Sequence, residues 1–306
     1  MHNMTHVCKC GVIVRDLMST KEVAEYLRLK ERKIYDLVSR SAIPISRVSG
    51  KLLFPREQID AWVRDKTSGR TTIPFPHGPA VLAGSHDPLL DWAVRESRCG
   101  LATLCYGSLD GLDRMVSGDA CVAAIHLPAS EGSARNISVS QEKLGRRDVA
   151  LVAWAQREQG LVVATGNPLK LQTLQDVRRT KARLMLRQPQ AGSYLLLLEL
   201  LGAEAMVLKE LKLVKQTALS ESDIAAAILD DKADVGLAVR SVARQFHLSF
   251  IPLAHERLDL IVSRRAFFEP PLQRLFEFAR SKAFSDYARS LSGYDISELG
   301  RVLWNA

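Results

Sequence analysis

Leu17-Met-Ser-Thr-Lys-Glu-Val-Ala-Glu-Tyr-Leu27, Arg32-Lys-Ile-Tyr-Asp-Leu-Val38 and Arg47-Val-Ser-Gly-Lys-Leu-Leu-Phe-Pro55 follow one another closely near the start of the chain. Ser19 or Thr20 suits a helix N-cap, Glu22 and Glu25 suit the positive first turns, and Val23, Ala24 and Leu27 make one apolar stripe. After a break at residues 28–30, a second helix is expected over about Glu31–Arg40. It turns Ile34, Leu37 and Val38 inward and leaves Arg32, Lys33, Tyr35 and Asp36 outside. Two short helices joined by a tight turn read as a helix-turn-helix, whose second helix fits the DNA major groove. The apolar segments flanking Ser49-Gly50 predict a hairpin wing with Arg47 and Lys51 on its arms. Pro55 then opens a third helix, Arg56–Arg64, expected to return Ile59, Ala61, Trp62 and Val63 to the small core.

Charge follows the same division. Residues 1–70 carry 14 Lys+Arg against 8 Asp+Glu, and residues 71–306 carry 28 against 26. Most of the net charge of +8 thus sits on the head, as expected if that part meets phosphate and the rest does not. The candidate DNA contacts are Arg32, Lys33 and Tyr35 from the second helix and Arg47 and Lys51 from the wing.

The 306 residues, 47% hydrophobic and 25% charged, fit a globular protein of one large or two to three small domains. No apolar run is long enough for a membrane span, and the first fifteen residues have no secretory apolar core, so a cytoplasmic protein is expected. Five cysteines without framework spacing fit a reducing compartment. Cys8-Lys-Cys10 is too tightly spaced for a zinc pair, and no second pair follows. No metal site is expected, and residues 1–16 read as a flexible terminus.

Residues 65–79 hold three prolines, two glycines and three threonines without periodicity, and read as an interdomain linker. Beyond them short apolar strands alternate with helices: Ala80–Ser85 then Pro88–Arg95, Ala102–Ser108 then Gly111–Ser117, and a third run at Ala120–His126. Ala150–Trp154 and Gly160–Ala164 are expected to form a β-pair. Leu184–Arg187 leads to a long apolar helix, Ser193–Leu201, and Ser220 starts a helix through Asp231. Strands follow at Ala233–Ala238 and Phe250–Leu253, and helices near Pro271–Ser281 and Phe284–Leu291 end the chain. The pattern predicts an α/β body with a mostly parallel sheet.

The head resembles the excisionase-like branch of the winged MerR-type DNA-binding domains. The resemblance rests on Ser19–Leu27, Tyr35, the Arg47–Phe54 wing and the closing Ile59-Asp-Ala-Trp62. Residues 80–306 resemble the type II periplasmic-binding-protein fold, and more closely the PBP-like domains fused to helix-turn-helix heads, relatives of molybdate and tungstate binders. The motifs in question include Ala83-Gly-Ser-His-Asp-Pro88, Gly107-Ser-Leu-Asp-Gly111, Arg157-Glu-Gln-Gly-Leu161, Arg187-Gln-Pro-Gln-Ala-Gly-Ser193 and Gly293-Tyr-Asp295. This resemblance implies a winged helix-turn-helix domain over 17–64 and a two-lobed body over 80–306. Lobe I would span about 80–157 and 256–306, and lobe II about 158–255, with crossings near residues 155–162 and 252–260.

Gly-Ser at a strand end before a helix offers backbone N–H groups and a hydroxyl at a positive helix terminus, which suits an anion. Such ends occur at Ser85, Ser108 and Gly192-Ser193, and three of them converging would surround a small oxyanion with neutral donors. His86 and His126 could add donors or sense protonation, and Tyr194 stands beside Ser193. A carboxylate at Asp87 would repel an anion unless it holds a His or a backbone N–H.

The expected function is a DNA-binding transcriptional regulator with a small effector in the interlobe cleft, and the shortness of its recognition helix leads one to expect a homodimer. Molybdate or tungstate is the effector that the resemblance and the Gly-Ser ends favour, and a small organic acid or a molybdenum-cofactor-related metabolite is the alternative. No P-loop, dinucleotide fingerprint, H-E-x-x-H or G-x-S-x-G motif is present. Neither catalytic residues nor a cofactor are therefore expected. The other classes weighed are an enzyme of cofactor metabolism and an architectural protein that bends DNA without a ligand.

Overall fold

A computed structural model of the chain describes residues 17–48, 50–65, 79–128 and 135–306. The chain divides into two compact units between Ile73 and Pro74. Residues 1–16 with Cys8 and Cys10, Ser49 of the wing turn and residues 66–78 of the linker lie outside the described residues.

In the head, β1 (Leu17–Met18), α1 (Thr20–Tyr26), α2 (Glu31–Ser39), β2 (Ser46–Val48), β3 (Lys51–Pro55) and α3 (Arg56–Asp65) follow in order. Ser19 is the N-cap of α1, and a capping box closes it. The Ser19 hydroxyl accepts from the Glu22 N–H at 3.3 Å, and the Ser19 N–H donates to the Glu22 carboxylate at 2.8 Å. Val23, Ala24, Ile34, Val38, Phe54 and Ile59 form the buried core, with Leu27, Leu37 and Trp62 packed against it. Val63, expected inside, is exposed. The strands form an antiparallel sheet in the order β1-β3-β2, in which β2 and β3 are the two arms of the wing.

The body begins with β4 (Val81–Gly84), α4 (Pro88–Glu96), β5 (Ala102–Leu104), α5 (Ser108–Ser117), β6 (Val122–Ile125) and α6 (Arg135–Leu144). Next come β7 (Val149–Val163), α7 (Leu174–Thr180), β8 (Arg183–Arg187), α8 (Gly192–Ala203), β9 (Lys212–Ala218), α9 (Glu221–Leu229), β10 (Val235–Val239) and α10 (Arg240–Gln245). The chain closes with β11 (Ser249–Ser263), α11 (Arg264–Phe267), α12 (Pro270–Ala279), α13 (Lys282–Leu291), β12 (Tyr294–Asp295) and β13 (Val302–Asn305).

One sheet runs through both lobes in the order β5-β4-β6-β11-β7-β10-β8-β9, with β12 and β13 added on β7. The flanks β5-β4-β6 and β10-β8-β9 are parallel, as strand–helix–strand crossovers require. The central β11 and β7 are antiparallel to each other and to their flanks. β7 and β11 pair along their length from Ser249↔Val163 to Ser263↔Val149, with register shifts at Pro252/Ala254 and Leu258/Asp259. These two strands are the crossings between the lobes. β6 joins one end of β11 at residues 259–262, and β10 joins the far end of β7 at residues 159–163.

Two expectations are corrected here. Ala150–Trp154 and Gly160–Ala164 are not a hairpin pair but the two ends of β7, one fifteen-residue strand. Phe250–Leu253 is likewise only the start of the fifteen-residue β11. The polar residues between the apolar ends of β7 suggested a turn. In fact Arg157 and Gln159 are buried between the lobes and ion-paired or hydrogen-bonded there, so the chain has no reason to turn out to water.

Helices cover both faces of each half. Leu89, Leu90, Trp154, Leu260, Leu272 and Phe284 sit on one face of lobe I, and Leu112, Met115, Ile125, Leu144 and Ile261 on the other. In lobe II, Leu174, Leu184, Leu197 and Leu237 lie on one face and Ile224, Ile228, Val239 and Val242 on the other. Among the described residues no helix is long and apolar enough to cross a membrane.

Candidate functional site

The crossing strands carry a buried ionic network. Arg157 on β7 has a fully buried side chain. It donates from Nη1 to Asp87 Oδ2 at 2.8 Å and from Nε to Glu256 Oε1 at 2.6 Å, and Glu256 stands on β11. Burial alone would lower the Arg157 pKa, but Glu256 and Asp87 more than reverse this and the guanidinium stays charged. Gln159, two residues along the same face, donates from Nε2 to both Glu256 Oε1 and Glu221 Oε1 at 3.0 Å. Glu221, at the start of α9, also accepts the Val239 N–H at 2.9 Å. The network thus runs from lobe I through both crossings into lobe II. Burial raises the Glu256 carboxyl above its ordinary range, Arg157 opposes the shift, and neighbouring Glu221 adds to it.

Asp87 is spoken for. Its Oδ1 accepts the Leu90 N–H at 2.8 Å as the N-cap of α4, and Oδ2 also accepts the Tyr294 hydroxyl at 2.8 Å. The positive end of α4 is therefore closed by the chain's own carboxylate rather than left for an anion at Ser85.

Ser85, Ser108 and His126 come together, and they bond to one another. Ser85 Oγ lies 2.7 Å from Ser108 Oγ, Ser108 Oγ donates to the His126 carbonyl at 3.0 Å, and the His126 N–H donates back to Ser108 Oγ at 3.1 Å. With Ser108 donating to the carbonyl, Ser85 is the donor between the two hydroxyls. The Ser85 N–H donates to Ala124 O at 2.8 Å. These serines tie the ends of β4, α5 and β6 together, and their hydroxyl protons are used inside lobe I.

Gly192 and Ser193 open α8 across the cleft. A Cβ on Gly192 would lie 2.2 Å from both Cδ2 and Nε2 of His126, so only a glycine lets lobe II approach the imidazole. Gly107, at φ +118°, does the same from lobe I. A Cβ there would lie 2.4 Å from the Gln190 carbonyl oxygen, and Gln188 Nε2 donates to Tyr106 O beside it at 3.1 Å. The lobes are closed on each other along these two glycines.

At this junction several buried polar atoms have no protein partner: both ring nitrogens of His126, Ser193 Oγ, Gln159 Oε1 and Glu256 Oε2. His126 is held well below its ordinary pKa by burial first and then by Arg157 and Arg187, so the ring is neutral. A neutral ring gives one donor and one acceptor. Arg187, at the end of β8, is buried and donates from Nη2 to Leu219 O at 3.0 Å, and burial lowers its pKa. His86 is half-buried with Nδ1 unpaired, and Tyr194 is half-buried on the first turn of α8. Among the described residues no group of His, Cys, Asp and Glu could hold a metal ion.

Beside the junction a cavity of about 480 Å³ opens between the lobes. Leu127 and Pro128 line it from lobe I, Leu196, Glu199 and Leu200 from α8, and Glu256 from β11. Glu256 belongs both to the ionic network and to the cavity wall.

In the head, Arg32, Lys33 and Tyr35 lie on the outer face of α2, Arg47 on β2 and Lys51 on β3, and all five are exposed. Lys33 and Arg40 both pair with Asp36 at 2.9 Å. The hydrogen bond from Lys33 is the main reason that the Asp36 carboxyl lies below its usual range.

The sequence matches a model of the PBP superfamily domain over residues 92–280. The chain belongs to the PBP-like family. A helix-turn-helix domain matches residues 17–67. The PBP-like chain is 24% identical to the protein YvgK of Bacillus subtilis over 301 residues, 92% of this chain and 96% of that one. Its fold is similar to that of a substrate-binding protein of a phosphate ABC transporter from Clostridium perfringens, with bound phosphate. The TM-score is 0.52 at 12% identity, over 72% of this chain and 98% of that one. It is also similar to the sulfate-binding protein SubI of Mycobacterium tuberculosis, with a TM-score of 0.50 at 13% identity, over 71% and 86% of the two chains. A DNA-binding helix-turn-helix domain and a PBP-like ligand-binding domain in one chain are the parts of a ligand-responsive DNA-binding regulator.

The residues that sequence reasoning missed are Gln159, Glu221 and Glu256, and the structural role of Arg157. The available signal was the Gln-Arg-Glu-Gln interruption at residues 156–159 in an otherwise apolar run.

Proposed function

We propose that this protein is a cytoplasmic one-component transcription regulator. Its head holds duplex DNA through Arg32, Lys33, Tyr35, Arg47 and Lys51, its cleft takes a small effector with an anionic group, and two copies act together on the operator. The observation that carries the effector site is the pair of buried, unpartnered groups at the closed junction, the His126 ring and the Ser193 hydroxyl at the start of α8. Arg187 adds positive charge nearby, and α8, whose N-cap Ala191 supplies no side-chain hydrogen bond, presents its positive end there. A ligand that binds the closed lobes better than the open ones shifts the population toward closure by its differential affinity, and linkage carries that free energy to DNA binding.

A tetrahedral oxyanion such as molybdate or tungstate is the simplest anionic group for this site. A small organic acid is the second reading, favoured by the unpartnered Glu256 Oε2, which repels a bare dianion. Both matched families are binding families, which supports a sensor rather than an enzyme. Calorimetry of the full chain with molybdate, tungstate, sulfate and organic acids tests the site. Binding that is lost in Ser193→Ala and His126→Ala is expected, and binding retained in both variants would move the site elsewhere.

A further inference from the structure

The ends of the interlobe space differ in chemistry. At the junction stand donors: Ser193 Oγ, one nitrogen of the neutral His126 ring and the first N–H groups of α8. Along the cavity, which Asn136, Gln156, His255 and Arg257 also line, stand two unpartnered carboxylate oxygens. Glu256 Oε2 and Glu199 Oε2 are both buried without a partner, and both residues line the cavity. The Glu256 side chain is only 6% exposed. Gln159, outside the cavity lining, holds a further unpaired acceptor. Its Nε2 is committed to Glu221 and Glu256, which fixes the amide and leaves Oε1 as the unpaired atom.

The two ends adjoin. His126 Nε2 is 3.9 Å from Glu256 Oε1, and α8 runs from Ser193 at the junction to Leu196, Glu199 and Leu200 on the cavity wall. A cavity of about 480 Å³ is of the size that holds an organic molecule, and a single tetrahedral ion would leave most of it empty. A fully deprotonated dianion has no proton to give the acceptors, and each buried acceptor left unmade is costly.

Resting on the cleft as the effector site, we infer that the effector is a small amino or hydroxy acid. Its carboxylate faces Ser193, His126 and the start of α8, and its ammonium or hydroxyl group donates to Glu256 and Glu199 in the cavity.

The test is calorimetry of the full chain with matched pairs: L-malate against succinate, L-glutamate against glutarate, and L-serine and L-lactate against propionate, alongside molybdate and tungstate. We expect at least one donor-bearing acid to bind about tenfold or more tightly than its donor-less counterpart, as a hydrogen bond to a charged group allows. That preference should fall about tenfold in Glu199→Gln, which leaves the Arg157 network intact, and also in Glu256→Gln where that variant folds. Equal binding within every pair, or an unchanged preference in Glu199→Gln, overturns the inference. Binding of molybdate or tungstate alone overturns it while keeping the cleft as the site, and no binding of any probe overturns both.

Discussion

Gly192 of lobe II lies against His126 of lobe I so closely that a Cβ on the glycine would sit 2.2 Å from the imidazole Nε2. Gly107 repeats the relationship in the other direction, against the Gln190 carbonyl. Each lobe thus closes on the other through a glycine, and the steric condition for closure is written at both contacts.

Gly192→Ala and Gly107→Ala are therefore expected to hold the lobes apart. Overpacking of this kind costs about 1–3 kcal/mol, here charged against the closed state. Effector affinity should fall by about tenfold or more while each lobe keeps its own core. Small-angle scattering should show the variants more extended than the native chain under the same conditions. Gly107→Ala carries the added strain of a φ of +118°, so it should be the more damaging of the two.

Arg157→Met tests the buried network. Removing the guanidinium leaves Asp87 and Glu256 facing each other's charge with no cation between them, and such a loss costs about 3–5 kcal/mol. A large drop in the denaturation midpoint of the PBP-like body is expected. Arg157→Met combined with Glu256→Gln should recover part of it, because one of the two stranded charges is then gone. A double variant no more stable than the single one would show that the cost lies elsewhere.

His126 sets a pH dependence whose sign is fixed by its burial. Its folded pKa lies well below the ordinary 6.5, so between the two values the unfolded chain binds the proton and the folded chain does not. Stability is full above about 6.5 and is lost as pH falls from there through the folded value, at no more than about 1.4 kcal/mol per pH unit for one proton. Thermal melts between pH 8 and pH 5 should follow this trend, and His126→Gln should flatten it. An unchanged profile in the variant would assign the trend to other groups.

On the DNA side, Lys51→Ala and Arg47→Ala are expected to weaken binding alike on all sequences. Each should lower the salt slope of the affinity by about one. Arg32→Ala should cost about 1–3 kcal/mol and relax sequence preference if it reaches a base edge. Lys33→Ala should be milder, because Asp36 already pairs with this lysine at 2.9 Å. Titrations of each variant at several salt concentrations separate these cases.

The head was legible because its determinants are local. The Ser19–Glu22 box, the Val23-Ala24 and Ile34-Val38 stripes and the two wing arms each lie within a few residues in sequence. The lobes were legible as alternating strands and helices for the same reason. What failed was the middle of the chain. β7 and β11 pair over residues about a hundred apart, and the polar run in β7 is satisfied from distant elements, Arg157 and Gln159 by Asp87, Glu221 and Glu256 and Glu158 by Arg240. Reading period and polarity alone, the chain had to be broken into a hairpin there. The site was half legible. Gly-Ser ends marked where strands meet helices, but whether a hydroxyl faces a ligand depends on partners in other elements. Ser85 and Ser108 bond within lobe I, whereas Ser193 does not.

The central claim is that one chain couples an effector in its cleft to DNA held by its head. The direct measurement is the affinity of the full chain for duplex from its own promoter region, with and without the acid or oxyanion that calorimetry identifies, at fixed salt. A change of about five- to 150-fold, the range of ordinary coupling free energies, is predicted, together with its abolition in Gly192→Ala. The same affinity with and without saturating effector would contradict the account.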